Sequence, residues 1–457
     1  MLLVGVTPHH SNHRTHILNM ERASAREPGQ NPETAVPPDQ PYGIAALLRN
    51  RSFRFLWIAG SLSGTIRWLE TLAIAVFILE QTNSAFMVAL TLFFRMFPMF
   101  LFGAFTGVIA DRINRKKLMV GGMFILALNS TVMGVLAITD VIEVWHVMVG
   151  IFLSGTVWSS EFPVRRTMMG EVVGMERVGI AMGVDAATVN FTRMVGPFLG
   201  GVLFELLDLE GVYFVGTGFY LLAFLSASIV GYTPTRLAST GLGFFGTMKG
   251  GISYIRSRRT VVGILAVTIL INIFGFPYTS MIAVIGKEDL HLNAILIGIL
   301  ASSEGLGALI ASLLIATRAK LLQYTRIYLH GSFLFLVTVL LFSLSPWFAL
   351  SLLLVFLGGL GIAAFGTMQS TLMMLSTPPE LRSRVMGVLS VSIGTGPLGV
   401  LHLGALASWL GAATAVSIIG IEGLIALTIA ILVWPELRRA TDIRPLAGES
   451  TQASPTI

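Results

Sequence analysis

Apolar runs long enough to cross a membrane recur from Phe53 to Trp434, and short polar segments separate them. A spanning helix needs about 20 predominantly apolar residues, and more when it is tilted. Twelve such helices fit this stretch, so the pattern predicts an all-α membrane protein with twelve transmembrane helices. The predicted spans are 53–80, 84–108, 117–139, 144–168, 178–205, 212–231, 260–286, 291–317, 323–345, 347–376, 384–410 and 413–434.

Composition excludes the main alternative, a string of soluble domains. Apolar residues make up 54% of the 457-residue chain, charged residues make up only 12%, and mean hydropathy is +0.79. Soluble domains carry about 25% charged residues, and 12% is too few to cover their surface. The chain contains no cysteine, which excludes disulfides, thiol catalysis and thiolate metal sites.

The positions of the charges predict the orientation of the helices. Of the 30 Lys and Arg residues, 26 lie in the terminal tails or in alternate loops, one of which holds Arg165, Arg166 and Arg177. The opposite loops hold Lys287 and several carboxylates. Because Lys and Arg accumulate in cytoplasmic loops, both termini are predicted to be cytoplasmic. The net positive charge of the chain therefore reflects the orientation of its helices in the membrane, and no nucleic-acid partner is expected.

The longest connection divides the spans into two groups of six. We expect a disordered cytoplasmic tail, two six-helix halves joined by a cytoplasmic linker, and a flexible tail. The ranges are 1–44 for the first tail, 45–232 for the N-terminal half, 233–259 for the linker, 260–435 for the C-terminal half and 436–457 for the last tail. The basic linker has helically spaced apolar residues, which predicts an amphipathic helix against membrane lipids.

A weak internal repeat supports the division into halves. Residues 182–184, Met-Gly-Val, recur at 386–388, and the pair Gly196-Pro197 recurs as Gly396-Pro397. Both matches keep their order and fall in spans five and eleven, which are equivalent positions of the two halves. Parallel repeats of this kind occur in two-half transporters.

A basic segment between spans two and three carries a family resemblance. Residues 107–117 read GVIADRINRKK. The segment resembles the cytoplasmic signature of the major facilitator superfamily, in which a glycine stands where this chain has Asn114. Asn is the residue that best tolerates a left-handed turn after Gly, so we expect such a turn at Asn114. The resemblance implies the two-half transporter fold and a conformational latch at Gly107, Asp111, Arg112, Arg115 and Lys116.

Span five carries a second resemblance. Its segment 193–201, RMVGPFLGG, resembles the end of a Gly-Pro motif of superfamily exporters, which implies hinge or packing roles for Gly196, Pro197, Gly200 and Gly201. Segments 52–57 and 162–166 are similar to the branch of siderophore exporters and macrolide or multidrug efflux proteins. The counterpart of the first motif near 317–320 lacks its Asp, and we expect span four to lack the arginine of many drug/proton antiporters.

Six ionisable residues are predicted to lie near the middle of the bilayer, where charge is costly and usually faces a cavity or a partner. They are Arg67, Glu70, Arg95, Arg193, Glu304 and Glu422. In span one, Arg67 and Glu70 share a stripe of small and polar residues, and Asn190 lies on a similar stripe of span five.

Two interpretations of these charges stay open at this point. Arg67 and Glu70 either neutralise each other and set packing, or a substrate or proton competes for one of them. Arg95 either binds carbonyls freed by Pro98 or serves the transport pathway. Asp185 is expected to pair with a basic loop.

The signs of the deep charges generate a hypothesis about mechanism. Arginines predominate in the first half, and the second half has only Glu304 and Glu422. A positive wall would attract an anionic or oxygen-rich part of the substrate, and the two glutamates are candidate proton carriers. Direct pairing of an arginine with either glutamate across the halves would weaken this hypothesis.

The predicted function is proton-coupled efflux of a small amphipathic drug, antibiotic or siderophore by alternating access. The protein is expected to act as a monomer in the bacterial cytoplasmic membrane. Uptake by proton symport and transport of lipid or lysolipid are the alternatives. No catalytic set, ATP-binding loop or metal-ligand spacing occurs in the sequence, so neither enzyme activity nor a cofactor or metal is expected.

Overall fold

The computed structural model describes residues 44–112, 114–174, 177–232, 254–319, 323–378 and 381–438, with all side chains in these ranges except those of 46, 103–112 and 383. Most of the two predicted tails and of the predicted amphipathic linker lies outside the described residues. The described chain is helical throughout its membrane segments.

Twelve helices cross the bundle, after a short helix at Ile44–Arg49. The N-terminal half contains α1 Arg51–Thr82, α2 Ala85–Arg112, α3 Arg115–Ile138, α4 Val144–Val173, and α5 with α6 in the segment Val178–Ile229. The C-terminal half contains α7 Arg259–Glu288, α8 Ala294–Arg318, α9 Tyr324–Ser343, α10 Phe348–Leu375, α11 Arg382–Ile393 with Gly396–Leu410, and α12 Ala412–Val433.

The predicted number of spans is confirmed. Eleven helical segments of the described chain are long and apolar enough to cross a membrane. One of them, Val178–Ile229, has 52 residues and is interrupted at Asp208, whose backbone has φ 50° and ψ −165°. A straight helix of that length would extend about 78 Å at 1.5 Å per residue, far more than a bilayer core. It therefore supplies two spans, α5 before Asp208 and α6 after it.

Asparagine side chains fix several helix ends. The Asn50 side chain accepts a hydrogen bond from the Phe53 amide at 3.1 Å and caps the start of α1. Asn83 ends the same helix in the left-handed conformation, with φ 45°. The left-handed turn predicted at Asn114 is wrong, because this residue has φ −58° and its side chain accepts from the Lys116 amide at 2.9 Å. Asn114 thus starts α3 as a cap.

The two halves meet along two equivalent helix pairs. The second helix of each half packs on the fifth helix of the other, giving the pairs α2–α11 and α5–α8. The repeated Gly-Pro elements lie in these interfaces, since Gly298 of α8 faces the Pro197 carbonyl and Gly396 faces Met96 of α2. This equivalence agrees with the parallel repeat in the sequence.

Two adjacent glycines allow α5 to contact a helix on each side. A methyl group added to Gly200 would lie 2.5 Å from the Leu69 carbonyl oxygen of α1, and one added to Gly201 would collide with the Ala294 carbonyl of α8. Small residues of this kind let the backbones of membrane helices approach closely. α5 is therefore packed against its own half and the opposite half at the same level.

The connections between helices form two faces of different charge. The acidic face comprises the connections at 83–84, 139–143, 208, 289–293, 344–347 and 411, and the basic face comprises the opposite helix ends. At the acidic face, Lys287 of α7 pairs with Glu80 of α1. Glu205 of α5 there accepts the Ala294 amide at 3.1 Å. These contacts join the two halves at the acidic face.

Single cysteines test the orientation, because the chain has none of its own. If the basic face is cytoplasmic, Val141→Cys on the acidic face reacts with a membrane-impermeant maleimide in intact cells. Ser257→Cys on the basic face then reacts only after permeabilisation. Both positions are solvent- or headgroup-exposed helix ends. The reverse labelling pattern would contradict the predicted orientation, and the cysteine-free wild type reports background labelling.

Candidate functional site

An ion pair between Arg193 of α5 and Glu304 of α8 joins the two halves near the middle of the bundle. The Arg193 Nη2 and Glu304 Oε2 atoms are 2.7 Å apart, and only 4% of the Glu304 side chain is exposed. The other carboxylate oxygen of Glu304 accepts the Tyr278 hydroxyl at 2.9 Å. The structure thus pairs two predicted site residues directly across the halves.

A break in α7 brings Tyr278 to this pair. A π-helical turn at Ile271–Gly275 is followed by a 3-10 turn at Phe276–Ser280, which contains Pro277. Proline cannot donate a backbone hydrogen bond and does not continue a regular helix. The local change of helical pitch places the Tyr278 ring in the core of the C-terminal half, against Phe335 and Phe342, with its hydroxyl on Glu304.

Polar donors beside the pair have no hydrogen-bond partner among the described residues. They are Arg193 Nε and Trp68 Nε1, both buried. The Arg193 guanidinium lies 5.2 Å from the centroid of the Trp68 ring, which provides a cation–π contact. Buried donors without a partner are unfavourable, so these two atoms are ready to bind an acceptor oxygen.

An apolar groove of about 530 Å³ begins beside the ion pair. Its lining comes from α5, α8 and α10 and therefore from both halves. The lining residues are Met194, Val195, Phe198, Ile299, Ser302, Ser303, Leu306, Ala349, Leu352, Leu353 and Phe356. Ser302 Oγ is buried in this wall and has no partner within the described chain. The volume falls in the range of small-molecule sites, about 300–1,000 Å³.

A second polar contact crosses the halves on the same helices. Asn190 of α5 donates to Ser312 of α8 at 3.0 Å, nearer the basic face than the Arg193–Glu304 pair. Asn190 was predicted for the substrate or proton pathway, and the structure gives it a place on the interface between halves.

The predicted pairing of Arg67 with Glu70 is not formed. Glu70 turns into the N-terminal half, where it accepts hydrogen bonds from Tyr220 at 3.2 Å and from Ser130 at 3.4 Å. Arg67 instead lies over the Trp158 ring, 4.9 Å from its centroid. Residues three apart on a helix are rotated by about 60° around its axis, so the two side chains reach different neighbours.

Arg67 and Arg95 line a small cavity inside the N-terminal half. Arg95 donates to the Arg67 carbonyl of α1 at 3.3 Å, and not to a carbonyl freed by Pro98 in its own helix. The cavity has a volume of about 20 Å³. Its lining is Ser63, Arg67, Arg95, Leu126, Ser154, Gly155, Trp158, Glu161 and Tyr220.

A buried arginine lies in span four, at a position that the sequence analysis assigns to a basic loop. α4 continues to Val173, and Arg165 is buried within it. Its guanidinium binds Glu161, 2.9 Å away, and Asp185 of α5. Arg165 lies near a basic connection between helices, so its position in the sequence alone suggests a loop residue. The spacing of Glu161 and Arg165, one helical turn apart, is the signal that could have identified it.

Asp185 has the structural partners that the sequence predicted for it. It is 1% exposed and binds Arg166 at 2.8 Å in addition to Arg165. These contacts hold α4 and α5 together toward the basic face. Glu161 and Asp185 add two negative charges to the N-terminal half. Its positive and negative deep charges are therefore closer in number than the predicted positive wall requires.

The structure does not bring Glu422 to the other deep charges. It lies in α12 and contacts His402 of α11 at 2.9 Å, with about 40% of both side chains exposed. Neither residue lines the groove or the small cavity. The predicted substrate and proton pathway is therefore divided into the interface site around Arg193, the polar cluster around Arg67, and this peripheral pair.

Arg115, one residue of the predicted latch, lies at the basic face and binds residues of its own half. Arg115 binds Glu171 at 2.6 Å, and Glu171 accepts the Tyr232 hydroxyl at 2.5 Å. Burial and the bond to Glu171 raise the pKa of Tyr232, so it remains a donor. These contacts tie α3, α4 and the end of α6. The side chains of Asp111 and Arg112 lie outside the described ones, and Lys116 is at the start of α3.

Comparison with known proteins agrees with the architecture. A family of the major facilitator superfamily, described as transmembrane secretion effector, matches residues 43–449. Macrolide efflux protein A of Streptococcus pyogenes is 21% identical over 354 residues, which cover 76% of this chain and 87% of that protein. The enterobactin exporter EntS of Salmonella paratyphi A is 25% identical over 423 residues, covering 88% and 97%.

A solved structure shows the same fold. It is a bacterial homologue of the human lysosomal transporter Spinster in an inward-facing and occupied conformation. The TM-score is 0.67 at 15% identity, and the match covers 90% of this chain and all of the other. This likeness concerns the arrangement of helices.

The buried Asp185 cluster yields a prediction about stability. Asp185→Asn leaves Arg165 and Arg166 short of a counter-charge, and removing one partner of a buried ion pair costs about 3–5 kcal/mol. The free energy of unfolding of the purified protein, measured by SDS titration, should fall by this amount. Arg259→Gln removes a pair whose arginine is 66% exposed and should change it by about 0–1 kcal/mol. Equal effects of the two substitutions would contradict the structural role of Asp185.

Proposed function

The chain belongs to the transmembrane secretion effector family of the major facilitator superfamily, and from this premise we propose that it exports a small amphipathic compound in exchange for protons. It is a multi-pass membrane transporter and not an enzyme. The observation that carries the proposal is the Arg193–Glu304 ion pair, which crosses the halves at the edge of an apolar groove. The relatives named for export of a macrolide and of enterobactin support the outward direction.

The proposed coupling follows from the position of the pair. Alternating access rocks one half against the other, and separation of α5 from α8 would leave both charges without a partner. An unpaired carboxylate at this depth is costly, and uptake of a proton by Glu304 removes that cost. Closure of the interface brings Arg193 back, favours the ionised carboxylate and releases the proton. The cross-half pair weakens the hypothesis that Glu304 carries a proton while the interface is closed. It suits a proton that binds only when the halves separate.

The groove and its unpartnered donors support the proposed substrate class. Its apolar lining suits a hydrophobic body, while Ser302 Oγ in the lining offers a hydrogen bond to an oxygen atom. Arg193 Nε and Trp68 Nε1 lie beside the groove and would become available to such an atom when the ion pair separates. A drug, antibiotic or siderophore with a hydrophobic body and an oxygen-rich side meets both requirements. A monomer holds all of these elements in one chain, so we propose a monomeric transporter.

Transport of lysolipid is the second candidate, because the groove is open and several of its apolar side chains are exposed. Phe198, Leu306 and Leu353 are 41%, 41% and 52% exposed. Lysolipid movement that persists without a proton gradient in reconstituted vesicles would favour this candidate over drug or siderophore export.

Glu304→Gln tests the proton step. Glutamine is close in size and retains an oxygen for the Tyr278 hydroxyl, but it has no charge to gain or lose. Export driven by an inward proton gradient should fall at least tenfold, whereas counterflow without a gradient should persist. The matched control Glu422→Gln, in the peripheral pair with His402, should leave gradient-driven export within about twofold. Wild-type gradient dependence in Glu304→Gln would contradict the proposed role of Glu304.

Filling the groove tests the binding site. Leu352→Trp adds volume inside the groove and should raise the KM for bulky amphipathic substrates severalfold, while leaving smaller ones less affected. Leu432→Trp, on α12 at a position 64% exposed, adds the same volume outside it. KM values from transport assays in vesicles compare the two. Identical KM values for both variants and the wild type would remove the groove from the proposal.

A further inference from the structure

The small cavity of the N-terminal half holds more positive charge than its surroundings neutralise. Arg67 has no carboxylate within 4.0 Å in the described chain, and neither has Arg95, which donates a hydrogen bond to a backbone carbonyl. Two guanidinium groups therefore line a buried space without an ion pair. Charges at this depth usually have a partner, so the missing counter-charge requires an explanation.

The nearby carboxylates are already engaged. Glu161 lines the cavity but binds Arg165 at 2.9 Å, and Glu70 accepts hydrogen bonds from Tyr220 and Ser130. The polar cluster contains four cations and three carboxylates among the described residues, but Arg166 is 38% exposed, so the buried charges are equal in number. Glu161 and Asp185 both bind Arg165, which leaves Arg67 and Arg95 without an ion pair. The members of the cluster are Arg67, Arg95, Arg165, Arg166, Glu70, Glu161 and Asp185.

Neutral donors complete the lining. Trp158 Nε1 is buried without a partner among the described residues. Ser154 accepts a hydrogen bond from Asn129 at 3.3 Å, which leaves its own hydroxyl free to donate. An indole N–H, a hydroxyl and two guanidinium groups therefore face a space whose lining comes from α1, α2, α3, α4 and α6.

The size of the cavity selects its occupant. A volume of about 20 Å³ exceeds the roughly 10–15 Å³ that one water needs, and it is too small for the body of an organic substrate. One monovalent anion of similar size to water would give the two guanidinium groups the ionic partner that they lack. We infer that the cavity lined by Arg67, Arg95 and Trp158 binds a small inorganic anion, of which chloride is the abundant example.

The anion has a structural consequence within the N-terminal half. It lies between α1, α2 and α4 and offsets the repulsion between Arg67 and Arg95. Binding therefore stabilises this half in its folded packing, because a ligand that binds only the folded state adds stability with its concentration. This inference concerns ion binding alone and holds whether or not the proposed proton-coupled export is correct.

Chloride titration of the purified protein tests the site. Thermal unfolding is followed in sodium chloride and in sodium gluconate at equal ionic strength, since gluconate is too large for the cavity. Wild type should gain stability with chloride in a saturable manner and gain none with gluconate. Equal unfolding temperatures in the two salts at all concentrations would overturn the inference.

Substitutions locate the bound ion. Trp158→Phe keeps an aromatic ring for Arg67 and removes only the indole N–H, so the half-saturating chloride concentration should rise roughly tenfold or more, as for one hydrogen bond to a charged group. Trp145→Phe removes an indole N–H at the acidic face, where it binds Glu143, and should respond like wild type. Arg67→Gln should abolish the chloride response.

The two cavity variants differ in how much they disturb the fold. If Arg67→Gln does not fold, Trp158→Phe decides alone, because its change is small and leaves every ion pair intact. A chloride response in Trp158→Phe with the wild-type half-saturating concentration would place the ion elsewhere and overturn the assignment.

Discussion

The cost of placing charge in a hydrocarbon layer governs this structure. Every deep arginine or carboxylate must find a partner, a π-face or an ion, and the helices are arranged so that most do. Asp185 joins α4 to α5 through two arginines, Glu70 joins α1 to α6 through Tyr220, and Glu304 joins the two halves through Arg193. The first two contacts stay within one half, while the third must break when the halves separate. Charge compensation thus distinguishes contacts within one half from the deep ion pair that separation of the halves would break.

The apolar runs predicted the helices closely because bilayer thickness sets the length of a span. Most predicted boundaries agree with the structure within about three residues. Two differences have local causes, since α4 extends five residues beyond position 168 and α5 joins α6 at a single non-helical residue, Asp208. A buried arginine compensated by Glu161 and Asp185 continues a helix where an isolated charge would end the span.

Partners of the deep charges could not be obtained from spacing alone. Helical periodicity places Arg67 and Glu70 on one broad face, but their neighbours depend on how α3, α4 and α6 are rotated against α1. The pair between Arg193 and Glu304 joins residues 111 positions apart, and no local pattern signals it. The repeated Gly-Pro element correctly marks equivalent interfaces between the halves. Helix backbones approach closely at these interfaces, and only small residues allow such contact.

The connection at Asp208 has a mechanical consequence. A long loop can change its conformation when one helix moves, so the next helix need not follow. A single non-helical residue between α5 and α6 does not allow this. Sliding or tilting of α5 along α8 is therefore transmitted to α6 and to the Tyr220 hydroxyl that holds Glu70 on α1. Displacement at the interface between halves would therefore reach three helices, α5, α6 and α1.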